Sequence, residues 1–174
     1  MLSTRSLSQL PDVAAPQNRS TAARTLFTQR ANAVVPLHWL STAAAFSGTG
    51  GLVSGDDLAD LIRHRCEAAG WLPDAEPLSL VARWIVMRAV VRLDSPWGPM
   101  FPLFQFDLPT ASVVDAMAPL LDELRPVFDD VELALWFVTP NDWLAGARPV
   151  SAMHHSLPAV LQAARADRFV ASGH

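Results

Sequence analysis

The sequence predicts a mainly α protein: a helical domain with one small β-hairpin at about residues 90–106 and a helical C-terminal subdomain. Two observations lead to this class. Apolar residues recur at helical spacing in several segments, which open at capping residues and end at glycine or proline. Only around residues 90–106 does the pattern change, to β-branched and aromatic residues on both sides of a Pro/Gly turn.

The N-terminal segment differs in composition from the rest of the chain. Residues 1–20 are rich in Ser, Pro, Gln and Asn, which is typical of a flexible tail. Residues 21–46 indicate helix on both sides of Pro36. We therefore expect three regions, namely the tail, an N-terminal helical region at 21–95 and a C-terminal region at 96–174.

Two helices are predicted in the middle of the chain. Ser54 can cap the first, with Asp57 three residues further on, and Gly70 is a natural stop. Pro77 can open the second, at about 77–89, because proline is tolerated at the first helical position. Apolar residues cover nearly all of this second helix, so we expect it to lie at the centre of the domain.

A short, irregular hairpin is predicted after these helices. Residues 90–93 and 100–106 flank the sequence Asp-Ser-Pro-Trp-Gly-Pro, which contains turn-forming residues. Pro102 lacks a backbone N–H, so we expect it to lie at a free edge of the hairpin.

Helical spacing returns in the C-terminal half. Residues 113–124 keep this spacing across Pro119, where we expect a kink or a break. Asp129 and Glu132 form a helix-start signature, and Pro140 ends the helix that follows them.

Residues 135–150 place two of the six tryptophans around a turn. We expect Trp136 to belong to the core, because it lies on the predicted helix. Trp143 lies in the turn itself, and the sequence leaves two interpretations open, a core side chain or an exposed anchor of an interface. Pro149 then opens a short helix, and Ser156 caps the last one.

The bulk composition indicates a cytoplasmic protein with a high apolar content. Hydrophobic residues make up 51 % and the mean hydropathy is +0.22, so we expect a partner or a second copy to cover apolar surface. The single cysteine, Cys66, excludes a disulfide within the chain and suits a reducing compartment. No signal peptide is recognisable at the N-terminus.

Arginine supplies all 13 basic residues, and the net charge is −4, which argues against a large nucleic-acid footprint. The most apolar run, residues 78–93, is interrupted by Arg83, Arg88 and Arg92. It therefore predicts a buried helix and not a membrane span. We expect these arginines to extend their charged ends to solvent, with phosphate contact as the alternative.

Several catalytic signatures are incomplete. The spacing from Gly50 to Gly55 is that of a phosphate-binding loop, but Asp56 and Asp57 stand where lysine and a hydroxyl residue are needed. Ser54 lies outside the Gly-x-Ser-x-Gly pattern of hydrolases. The acidic pairs sit at helix starts, where they cap free amides. We therefore expect no catalytic residues, no cofactor and a non-enzymatic role.

Metal-ligating residues are few and scattered. The five histidines and Cys66 do not form two close ligand pairs, which a structural zinc site usually shows. His64 and Cys66, two residues apart, point to different faces of a helix. We expect no metal site.

The C-terminal third resembles the toxin-binding domain of Xre/MbcA/ParS-type antitoxins, over roughly residues 98–170. The resemblance lies in the order of a Phe-Pro-x-Phe-Gln-Phe stretch, a helix, a Trp-containing helix, Pro-Asn, a Leu-x-Gly turn and a helix-opening proline. The matching positions are Phe101, Pro102, Phe104, Gln105, Phe106, Trp136, Pro140, Asn141, Leu144, Gly146 and Pro149.

This resemblance implies a partner and a mode of binding. Such domains neutralise RES-type toxins, which consume NAD⁺, by covering the active site of the toxin, and they commonly form homodimers. The region 96–174 is then the toxin-binding region, in which arginines and a phenylalanine of the last helix can contact the pocket of the toxin. The toxin-binding residues implied are Asn141, Trp143, Leu144, Gly146, Arg165, Arg168 and Phe169.

The alternative is a DNA-binding transcriptional regulator that carries the same toxin-binding domain. Family members with an N-terminal helix-turn-helix repress their own operon. Residues 54–90 can hold two helices joined by a turn, but the second is too apolar for a recognition helix in a major groove.

Overall fold

Helices dominate residues 37–173, the part of the chain that this computed structural model describes. The α-helices there are α1 (Leu37–Ala45), α2 (Gly55–Ala68), α3 (Pro77–Val86), α4 (Met117–Leu124), α5 (Asp130–Val138), α6 (Pro149–Ala152) and α7 (Leu157–Ala171). The β-strands are β1 (Leu52–Ser54), β2 (Leu93–Ser95), β3 (Gly98–Pro102), β4 (Phe106–Asp107) and β5 (Ser112–Val113). The predicted tail and the helix before Pro36 lie outside the described residues.

The predicted class is confirmed, because the fold is mainly α and contains an antiparallel hairpin, β2–β3. The hairpin is shorter than predicted, with Leu93 opposite Met100 and Ser95 opposite Gly98. Two further pairings were not expected from the sequence. Strand β1 pairs with the other side of β3, which gives the order β1-β3-β2, and β4 and β5 form a second small hairpin.

Pro102 ends the central strand of the sheet, so the expectation of a free-edge position was wrong. On one side it lies opposite Leu52 of β1. The neighbouring pair, Leu103 and Gly51, is hydrogen-bonded, since Leu103 N donates to Gly51 O (3.0 Å). Hydrogen-bonded and non-hydrogen-bonded pairs alternate along antiparallel strands, so the pair of Pro102 and Leu52 needs no hydrogen bond. On the side of β3 that faces β2, a further pair would need the backbone N–H that Pro102 lacks. The ladder between β2 and β3 stops there, at Leu93.

The buried side chain of Gln105 occupies the place where the ladder stops. Its Nε2 donates to Val91 O (2.9 Å) and to Pro102 O (3.1 Å). Its Oε1 accepts from Val91 N. A side-chain amide thus satisfies the backbone groups that a continued strand pair would have satisfied.

The capping signals at Ser54 and Asp129 set their helix starts as predicted, whereas the cap predicted at Ser156 was wrong in its hydrogen bond: Ser156 precedes α7, but its side chain caps no amide of the helix. The Ser54 hydroxyl accepts from Asp57 N (3.1 Å), and Asp129 and Glu132 form a reciprocal capping box. Of the kink or break expected at Pro119, a break does not occur: α4 is continuous across this residue, which is its third. No N–H in the first turn of a helix has an intrahelical partner, so proline is tolerated there.

Helix α3 begins at Pro77 as predicted but lies at the surface, so the expectation of a central helix was wrong. Its inner face carries the buried side chains Leu80, Val81 and Trp84. Its outer end is apolar and open to solvent, with Val86 82 % exposed. Within residues 37–173 no helix has both the length and the apolar character that crossing a bilayer requires.

Two clusters of buried side chains form the core. The larger contains Trp39, Phe46, Val91, Leu93, Ala116, Met117, Leu120, Leu121, Leu124, Leu133, Ala134, Phe137, Val138, Val150, Met153, Val160 and Ala164. The smaller contains Leu58, Ile62, Cys66, Leu80, Val81, Trp84, Val90, Phe101 and Phe106. Residues before and after position 95 contribute to both clusters, and the division into three regions stays a prediction.

Candidate binding surface

The turn after α5 is closed by its own hydrogen bonds. Asn141 begins it, with its Oδ1 accepting from Trp143 N (2.9 Å) and its carbonyl accepting from Gly146 N (3.0 Å). Ala145 and Gly146 both have left-handed backbones, with φ of 54° and 81°. Glycine takes up this conformation without strain, which explains the Leu-x-Gly sequence of the turn.

Asp167 of α7 accepts hydrogen bonds from this turn and from α5, the helix that precedes it. Its Oδ2 accepts from Trp136 Nε1 (2.7 Å) and from Asn141 Nδ2 (2.7 Å). Its Oδ1 accepts from Trp143 Nε1 (2.9 Å). One carboxylate therefore holds two indoles and one amide, and we call these four residues the Asp167 cluster. Hydrogen bonds to a charged acceptor are stronger than neutral ones.

Trp143 is exposed, which decides between the two interpretations that the sequence left open. Its side chain is 62 % exposed although its indole N–H is bonded to Asp167. The ring is thus fixed at one end while much of its apolar surface faces solvent. Trp136, by contrast, is partly buried and packs edge-on against Phe137, with ring centroids 5.2 Å apart.

The arginines of the last helix are paired within the chain. Arg165 Nε lies 2.8 Å from Glu123 Oε1 of α4, and Arg168 Nη1 lies 2.6 Å from Glu123 Oε2. The hydrogen bond from Arg165, together with the charges of both arginines, lowers the pKa of Glu123 although burial acts in the opposite direction. Both arginines therefore fasten α7 to α4.

The end of α7 exposes two apolar side chains. Phe169 is 60 % exposed and Val170 is 64 % exposed. Phe169 follows Arg165 by four residues, so it lies on the side of the helix that faces Glu123. Val170 follows Asp167 by three residues and lies on the side that faces the turn of Trp143.

The seven residues expected to bind a toxin divide into three groups. Trp143 and Phe169 expose apolar surface, and Arg165 and Arg168 pair with Glu123. The remaining three build the turn and its attachment: Asn141 is nearly buried, Leu144 packs against the larger core cluster, and Gly146 supplies the left-handed backbone.

Two residues that organise this surface were not found from the sequence. Asp167 and Glu123 meet their partners across 24 to 45 positions of the chain, so no local spacing reveals them. Asp167 does lie between two arginines in a helix, but that pattern is also typical of an ordinary solvated face.

The motif positions of the resemblance serve mainly to build the fold. Phe101 and Gln105 are fully buried, Asn141 holds the turn, and Pro149 begins α6. Between Leu37 and Gly173, no group of three or more His, Cys, Asp or Glu side chains is placed to hold a metal ion. Comparisons with protein-family models, with curated proteins and with solved structures found no match to this chain.

Proposed function

We propose that this chain is a cytoplasmic, non-enzymatic antitoxin that neutralises a RES-type toxin by covering its active site with the surface around Trp143. The observation that carries the proposal is the exposed indole of Trp143, fixed by its hydrogen bond to Asp167. The resemblance of residues 98–170 to antitoxin toxin-binding domains supplies the class of partner.

A fixed, exposed indole suits a binding surface. Tryptophan offers a large apolar area, and it is among the residues that contribute most to protein interfaces. The closed turn and the bond to Asp167 restrict the ring before binding, so little conformational entropy remains to be lost. Phe169 and Val170, exposed at the end of α7, add apolar surface on the same helix as Asp167.

The proposal includes a homodimer, which the high apolar content supports. The exposed apolar side chains of α3 and its end, among them Val86 and Met87, lie in a different helix from the surface of Trp143. A second copy can therefore cover one helix while the toxin occupies the other surface.

The DNA-binding alternative has less support. Residues 69–76 separate α2 from α3, which is longer than the three- or four-residue turn of a helix-turn-helix. Helix α3, the second of this pair, presents Leu78 and Val86 to solvent in place of polar groups for base edges. A salt-dependent gel shift on the promoter of this gene tests the alternative.

The test of toxin binding is co-expression with the neighbouring open reading frame, followed by affinity purification and an assay of cellular NAD⁺. We expect the partner to co-purify and NAD⁺ to fall only when this chain is absent. Trp143→Ala should weaken the complex by about thirtyfold, the effect of removing a central interface tryptophan.

Trp71 provides a matched control for that variant. It is also a partly exposed tryptophan whose indole N–H is bonded, in this case to Pro109 O (3.1 Å). Trp71→Ala should leave binding unchanged. Equal losses for the two variants, or no co-purification with constant NAD⁺, would contradict the proposal.

A further inference from the structure

A concave site, separate from the surface around Trp143, lies between the end of α3, the segment that follows it and the start of α5. Its volume is about 290 Å³. The residues that line it are Ile85, Arg88, Val90, Arg92, Arg125 and Asp130. We call this site the arginine cavity, because three arginines and one aspartate are among the residues that line it. Arg83, the other arginine of the apolar run, lines a different depression beside Trp71.

Arg125 shapes the cavity by holding its wall. Its Nη1 donates to Arg88 O, and its Nη2 donates to Val90 O (2.9 Å). Its Nε is buried and has no hydrogen-bond partner among residues 37–173. Burial, followed by the nearby charge of Arg88, lowers the pKa of Arg125, although the carboxylates of Asp130 and Asp122 act in the opposite direction.

Arg88 occupies a backbone position that normally belongs to glycine. Its φ is 53°, in the left-handed region, at the end of α3. Arg88 N donates to Ile85 O (3.0 Å) and Ala89 N donates to Trp84 O (2.9 Å), which is the usual geometry of a glycine-terminated helix. Glycine would fit here without strain, so the fold does not require the arginine side chain.

The charges of the cavity are unbalanced. Among the described residues, neither Arg88 nor Arg92 nor Arg125 forms an ion pair. Elsewhere in the described chain, by contrast, Arg165 and Arg168 form ion pairs with Glu123. In the cavity, Asp130 is the single acidic residue of the lining.

We infer that the arginine cavity binds the oxyanion of a small molecule, a phosphate or a carboxylate group, with Arg88 and Arg92 as its ligands. Arg125 acts as a positioning residue, since both of its Nη atoms donate to the carbonyls of the wall. Guanidinium groups match both anions in charge and in hydrogen-bond geometry.

The size of the site favours a small molecule over nucleic acid. A volume of about 290 Å³ is close to the lower limit of pockets that enclose small ligands, and it exceeds the space that a bare phosphate fills. Nucleic-acid binding requires an extended basic face that follows many phosphates, whereas this chain has a net charge of −4. The inference stands independently of the proposed toxin.

Isothermal titration calorimetry at low salt tests the inference, with inorganic pyrophosphate and succinate as separate probes. We expect saturable binding of at least one of them at one site. The stronger probe identifies the source of the oxyanion, a phosphoryl compound or a carboxylic acid. Arg88→Gly should weaken that binding by at least about tenfold, because it removes one charged hydrogen-bonding partner.

Arg88→Gly separates binding from folding, since glycine relieves the left-handed backbone and keeps or raises thermal stability. Ala111→Gly is the matched control, because Ala111 also has a left-handed backbone (φ 49°) but lies outside the cavity. Arg92→Gln should weaken binding as Arg88→Gly does.

Three outcomes would overturn the inference. The first is the absence of saturable binding of either probe at millimolar concentration. The second is wild-type affinity in the Arg88→Gly variant, which would place the anion elsewhere. The third is tighter binding of a short DNA duplex than of either probe, which would indicate a nucleic-acid contact.

Discussion

The last helix and the arginine cavity use the same residue type in opposite ways. Arg165 and Arg168 share the carboxylate of Glu123, and the neighbouring Asp167 accepts three hydrogen bonds. In the cavity, three arginines surround a space with one acidic residue in its lining. Arg165 and Arg168 fix the structure through an acid of their own chain, whereas Arg88 and Arg92 form no ion pair among the described residues and are the ligands inferred for an external anion.

The largest effect is expected from a substitution next to the wall of the arginine cavity. Gln105→Leu removes the amide that holds Val91 and Pro102. It leaves buried backbone donors and acceptors without partners, so we expect the free energy of unfolding to fall by about 3 kcal/mol.

Urea denaturation measures this loss, and anion binding should weaken with it because the neighbouring wall loses its support. Gln105→Glu, which keeps the shape and one set of acceptors, should cost less at acid pH than at neutral pH. Wild-type stability in Gln105→Leu would show that the amide is not needed to close the sheet.

A smaller effect is expected from breaking the Asp167 cluster. Asp167→Ala removes the common acceptor of Trp136, Asn141 and Trp143, and the site is partly exposed, so we expect a loss of about 2 kcal/mol. Urea denaturation measures it, with Asp74→Asn in an exposed loop as the control.

The same Asp167→Ala variant should also weaken toxin binding, since the ring of Trp143 loses the bond that orients it. If stability fell while binding stayed at the wild-type level, the fixed orientation of the indole would have no role in the interface.

The smallest effect is expected from removing the acid that pairs with the arginines of α7, which leaves these arginines without an ion pair, like those of the arginine cavity. Glu123→Gln leaves Arg165 and Arg168 without a counter-charge. Because the folded-state pKa of Glu123 is lowered, this carboxylate stabilises the fold above its ordinary pKa of about 4.5, and the contribution is lost as the pH falls through the lowered value.

Unfolding measured across acid pH should therefore show a shallower loss of stability in Glu123→Gln than in the wild type. The two proteins should converge at the acid end of the series. Parallel curves would mean that Glu123 does not lose its proton more readily in the folded state.

Features determined by neighbouring residues could be predicted from the sequence. The caps at Ser54 and Asp129, the helix starts at Pro77 and Pro149 and the hairpin turn all depend on residues a few positions apart. Such signals act through local hydrogen bonds and fixed dihedral angles, which a sequence pattern displays directly.

Features determined by distant residues could not be predicted. The pairing of β1 with β3 joins segments about fifty positions apart, and Gln105 reaches Val91 across 14 positions. The turn of Trp143 was recognised as a candidate surface, but its anchor, Asp167, was not. Its partners come together only when α7 packs beside the turn, an arrangement that depends on the whole core.

The proline at position 102 has a consequence for where a ligand can enter this fold. A residue with a backbone N–H there could have paired with Val91 and extended β2 backwards by two residues. Strand β2 instead begins at Leu93, and the five residues before it form an open loop. Arg125 donates hydrogen bonds to two carbonyls of this loop, those of Arg88 and Val90. The short extent of this ladder thus leaves the segment before Leu93 to form part of the rim of the arginine cavity.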